Sequence, residues 1–64
     1  MLEPFQERAK KEKRDLDEKM VKLKQYLDSD AVRNISLEDA KLLYYQYGAM
    51  EAYSDILGKR ISRF

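Results

Sequence analysis

Two basic clusters dominate the chemistry open to this chain. Arg8, Lys10, Lys11, Lys13 and Arg14 form the first, with Glu12 the one acid among them; Lys59, Arg60 and Arg63 form the second, with none. Ammonium and guanidinium groups hold compact anions such as phosphate through charge-assisted hydrogen bonds. There is no His and no Cys. That removes the usual general base and the usual thiolate and imidazole metal ligands. Catalysis would then need an Asp/Glu pair or a tuned Lys in a water-excluding cleft. Asp15, Asp17 and Glu18 are neighbours, but on a helix they point mostly to different faces, which is a poor arrangement for a divalent cation. No catalytic residue, metal site or cofactor is expected.

Composition restricts the partners further. Thirteen basic and twelve acidic residues give a net charge of +1. A sequence-independent DNA or RNA binder is normally strongly basic, so no nucleic-acid polymer is expected. A hydrophobic content of 44% is too high for a disordered chain. The longest uncharged run, Leu42 to Met50, is about half of what spans a bilayer. No basic region followed by an apolar stretch opens the chain, so it reads as cytoplasmic and free of membrane.

Two elements must position the basic clusters. With two Gly and one Pro in 64 residues, long helices are the natural reading. Pro4–Leu27 holds mostly strong helix formers, with Pro4 where a missing N–H costs nothing. Phe5, Ala9, Leu16, Met20, Leu23 and Leu27 form one narrow apolar stripe. Asp28-Ser29-Asp30 ends it with residues that favour turns. Ser36 caps a second helix over 37–63, with Glu38 and Asp39 in its first turn and the second basic cluster in its last. A turn over 28–36 forces an antiparallel hairpin in an all-α fold.

The second helix is apolar over a wider arc than one partner can cover. Leu43, Tyr47, Met50, Leu57, Ile61 and Phe64 can face the first helix. Leu42, Tyr45, Ala49, Tyr53 and Ile56 need another surface. Contiguous apolar area of that kind marks an interface, and a chain this short rarely builds a sufficient core alone. Leu42, Tyr45, Ala49 and Ile56 are therefore expected at the interface of a compact helical homo-oligomer. Gly48 borders this arc and permits close backbone approach.

Closing the hairpin near Val32 sets Leu27 against Leu37, Leu23 against Leu43, Leu16 against Met50, Ala9 against Leu57 and Phe5 against Ile61. The termini and both basic clusters meet at the open end, which focuses positive potential there despite the small net charge. The stripe of the first helix is broken over 10–15, KKEKRD, where the apolar knob expected at Glu12 or Lys13 is missing. Opposite the break sits Tyr53. Such a break is either a solvated face or a place where a ring and several cations receive a planar anion.

The chain resembles the small phage proteins that carry the hairpin domain shared by anti-CBASS and Thoeris anti-defence sponges. The resemblance rests on Phe5 and Arg8, Leu16-x-x-Lys19, Lys22-Leu23-x-x-Tyr26, Leu42-Leu43-x-x-Gln46, Met50-x-x-Tyr53 and Leu57-x-x-Arg60-Ile61. It implies a helical oligomer, commonly a hexamer, that holds cyclic di- or trinucleotide immune messengers between protomers without cleaving them. It places the chain in the cytoplasm of an infected bacterium. It implies phosphate contacts from Lys10 or Lys11 and from Arg60, beside Arg8 of the same cluster, with Phe5 or Tyr53 stacking on a base. The competing expectation is a protein-interaction module whose apolar second-helix face engages a host protein.

Overall fold

The computed structural model describes residues 2–64. Two helices, α1 (Pro4–Leu27) and α2 (Leu37–Ile61), are joined by a short 3-10 helix (Asp30–Asn34). They pack antiparallel as a rod of 48 × 15 × 14 Å. The fold is all-α, a two-helix hairpin.

Local chemistry sets each boundary. Pro4 opens α1, and the Glu3 backbone N–H donates to Gln6 Oε1 at 2.8 Å. Ser29 shapes the connection. Its hydroxyl donates to the Tyr26 carbonyl at 2.7 Å and accepts from the Ala31 N–H at 3.2 Å. That capped start makes a 3-10 turn of what the sequence presents only as a polar turn. Ser36 caps α2, its Oγ accepting the Asp39 N–H at 3.1 Å. α2 stops two residues before Arg63 because the chain tightens: the Arg63 and Phe64 N–H groups bond three residues back, to Arg60 and Ile61. This curl brings Phe64 to Phe5 edge-on, ring centroids 5.8 Å apart at 81°. The two ends of the chain therefore meet through aromatic contact.

The seam follows alternating steps of three and four. On α1 it runs through the buried or half-buried Ala9, Lys13, Leu16, Met20, Leu23 and Leu27. On α2 it runs through the buried or half-buried Ala40, Leu43, Tyr47, Met50, Ser54, Leu57 and Ile61. This is the spacing of an antiparallel coiled coil. Its fully apolar buried part is small: Ala9, Leu16, Leu27 and Leu57.

One expectation needs correcting. Leu37 does not cover Leu27. It is 71% exposed, and Leu27 is buried where α1 meets the 3-10 helix, whose flank supplies the half-buried Val32 and Ile35. The polar break in α1 meets Tyr53 at Glu12, whose Oε1 accepts from the Tyr53 hydroxyl. Lys13 occupies the seam position, and its Nζ donates to Ser54 Oγ at 2.8 Å. Ser54 is buried and Lys13 half-buried, so at this one position the break carries a polar layer into the seam, while Lys11, Glu12, Arg14 and Asp15 stay exposed.

Among the described residues Leu57 is the one side chain with no exposure. Leu57→Ala is expected to cost about 2–5 kcal/mol, while Leu37→Ala should stay within about 0.5 kcal/mol. Urea denaturation followed by circular dichroism compares them. Equal losses would mean that the seam does not carry the stability.

Candidate ligand-binding site

The register set by the seam places one flank of α1 against Tyr53. Arg8, Glu12, Asp15 and Lys19 recur at steps of four, three and four, so they share that flank. With Lys11, Leu16 and Tyr53 they line a groove of about 420 Å³. The Tyr53 hydroxyl donates to Glu12 Oε1. That bond, with Glu12's negative charge, raises the phenol above its ordinary pKa, and the nearby charge of Arg60 opposes the rise. The ring itself is 42% exposed. It stands as an anchored aromatic wall.

The cations of the groove are not equivalent. Lys11 Nζ pairs with Asp15 Oδ2 at 2.6 Å. This contact holds the Asp15 carboxyl below its usual range and leaves Lys11 partly neutralised. Arg8 and Lys19 have no acidic partner within 4.0 Å among the described residues. They stand eleven residues apart, about 16 Å along the helix. A ligand with separated negative charges and a flat ring between them meets complementary groups along this groove.

The structure thus brings together three of the residues expected at the site: Arg8, Lys11 and Tyr53. Three others lie outside the groove's lining. Lys10 is half-buried on another face of α1. Phe5 packs against Phe64 at the open end. Arg60 is close enough to Tyr53 to act on its phenol but does not line the groove. Glu12 and Asp15, within the 10–15 break set opposite Tyr53, also line the groove, as does Lys19, which sequence reasoning did not place there. The signal for Lys19 is the 8, 12, 15, 19 spacing, which carries the flank one turn beyond the charge run.

A family model described as Sequestin matches residues 3–63. The chain belongs to the Sequestin family. No curated protein and no solved structure matches it. The Sequestin match spans both helices, so the groove and the seam lie wholly within it. The family's description is compatible with a sequestering function. Among the described residues no helix is long and apolar enough to cross a membrane, and no cluster of three or more acidic side chains could hold a metal ion.

Behind the groove lies the polar layer. Lys13 Nζ donates to Asp17 Oδ2 at 2.9 Å as well as to Ser54, and Ser54 Oγ donates to Asp17 Oδ1 at 2.6 Å. Asp17 is thus not the plain solvated-face residue its charged surroundings suggest. The Ser54 hydroxyl and then the Lys13 ammonium hold its carboxyl below the ordinary value. A lowered folded-state pKa stabilises the fold above the unfolded value and loses that stabilisation as pH falls. Wild-type Tm is expected to drop from about pH 4 downward, and Asp17→Asn should flatten that drop. Thermal melts of both proteins between neutral and acid pH test this; parallel curves would remove Asp17 from the acid response.

Proposed function

We propose that this member of the Sequestin family is a non-enzymatic sponge. It binds cyclic di- or trinucleotide immune messengers and withholds them from their effector in the cytoplasm of an infected bacterium. The observation that carries the reading is the groove. Two cations without acidic partners stand at its ends, and an exposed, anchored tyrosine ring forms its wall. Phosphates fit Arg8 and Lys19, with Lys11 as a shared cation. Arg adds bidentate geometry that a point charge lacks. A base fits the Tyr53 ring, where stacking contributes about 1–3 kcal/mol.

The groove is open along one side, and Tyr53 stands at its edge next to the apolar face of α2. Copies of the chain meeting on that face would wall the ligand in and exclude water. A homo-oligomer, up to the hexamer implied by the resemblance, accommodates this. Ligand retention without turnover fits a surface with no His and no Cys. The groove's carboxylates are engaged, Glu12 by a phenol and Asp15 by an ammonium.

Calorimetric titration with cyclic dinucleotides and trinucleotides, followed by heat denaturation and recovery of the ligand, tests the proposal. Binding with intact recovered ligand is expected. Arg8→Ala should weaken binding about tenfold or more, equivalent to about 1.4 kcal/mol, and Lys10→Ala should leave it near wild type. Affinity should also fall as salt rises. Converted ligand would make the protein an enzyme. No heat of binding with either class would favour the protein-interaction module instead.

A further inference from the structure

One strip of the exposed face of α2 is palindromic in residue type. Ala49 lies at its centre. Stepping away from Ala49 in each direction by four, three and four residues gives Tyr45 and Tyr53, then Leu42 and Ile56, then Glu38 and Arg60. Every one of these residues is exposed. The members of each pair match in kind: aromatic with aromatic, aliphatic with aliphatic, and at the ends acid with base. Neither Glu38 nor Arg60 has an ionic partner within 4.0 Å among the described residues. Each half spans eleven residues, a spacing that tracks a straight helix to within about 20°. The strip therefore stays on one face over about 33 Å.

We infer that α2 packs antiparallel against α2 of a second copy, about a two-fold axis at Ala49. A two-fold contact sets each residue against its mirror in the strip. Ala49 meets the partner's Ala49. Tyr53 meets the partner's Tyr45, Ile56 meets the partner's Leu42, and Arg60 meets the partner's Glu38. The opposite charges at the two ends of one helix become two ion pairs, and a parallel arrangement would instead oppose like with like. Small side chains at the axis let the helices approach. Gly48 sits beside it with nothing within 4 Å of where a Cβ would stand. Its lack of a side chain serves no contact inside the hairpin, although glycine in an exposed helix is costly.

The arrangement gives two exposed features a role. Leu42 and Tyr45, 63% and 70% exposed, become buried. Arg60 becomes an interface residue rather than a phosphate ligand. Because Tyr53 also walls the groove, the partner's Tyr45 would stand at the groove's edge.

The test uses the full chain without any nucleotide, so it is independent of the ligand reading. The protein has no cysteine, so Ala49→Cys places a single thiol on the axis. Under mild oxidation this variant should form a disulfide-linked dimer much faster than Gln25→Cys, which puts an exposed thiol on α1. Sedimentation equilibrium supplies the second measurement. Glu38→Arg and Arg60→Glu should each weaken association about tenfold, and the double variant E38R/R60E should return it to within about threefold of wild type. Equal crosslinking at positions 49 and 25, or a charge-swapped variant as weak as the single ones, would overturn the proposal.

Discussion

Lys13 lies in the seam between the helices, and the bonds of its ammonium fix which residues of α2 face which residues of α1. An apolar seam of leucines and methionines tolerates sliding, because one leucine is much like another four residues on. A lysine bound to Ser54 and Asp17 does not. Sliding α2 by one turn would leave the ammonium without the Ser54 hydroxyl and would press a long charged chain against apolar neighbours. A half-buried polar layer of this kind costs stability relative to an apolar one, and polar seam residues specify register in coiled coils. Here the cost is moderate, because no buried side-chain polar atom lacks a partner among the described residues.

Everything at the candidate site follows from that register. With Lys13 opposite Ser54, Tyr53 falls beside Glu12 and its hydroxyl reaches the carboxylate. The ring is then held against the flank of α1 that carries Arg8 and Lys19. At the open end the same register brings Phe64 onto Phe5. The stem of Lys13 also passes under α2 at Gly58, where an added Cβ would lie 3.5 Å from Lys13 Cε. That is ordinary contact, so glycine there is compatible with the packing without being demanded by it.

Much of the fold was legible because it rests on local chemistry and period. Pro4, Ser29 and Ser36 act where their side chains dictate, and the three-four spacing identifies the helices. Legibility failed where a side chain's role depends on what lies across the hairpin. Glu12 or Lys13 reads as the place where the seam lacks its apolar knob, but nothing in α1 says that Lys13 takes it or that a serine waits opposite. Ser54 looks like a neutral interruption of an apolar arc for the same reason. Leu37 reads as a partner for Leu27 until the 3-10 helix, created by one serine hydroxyl, takes that place. The groove was half legible. The cations and Tyr53 stood out by type, but the engagement of Lys11 by Asp15 and of Tyr53 by Glu12 is a matter of geometry.

The division of labour between the two faces of α2 explains how so short a chain holds a specific shape. Its inner face commits small resources to register: one fully buried leucine, a buried serine and half-buried residues between. Its outer face keeps its larger apolar groups in water. A chain whose only apolar surface lay in the seam would have little reason to keep Leu42, Tyr45 and Ile56 exposed, since scattered polar residues would serve solubility better. Arranged symmetrically about Ala49 and closed by opposite charges, those residues describe a surface complementary to itself. The hairpin's stability and its assembly are then one physical problem. The polar layer fixes where α2's outer strip lies relative to the groove, and in the proposed dimer burial of that strip would supply what the thin core lacks.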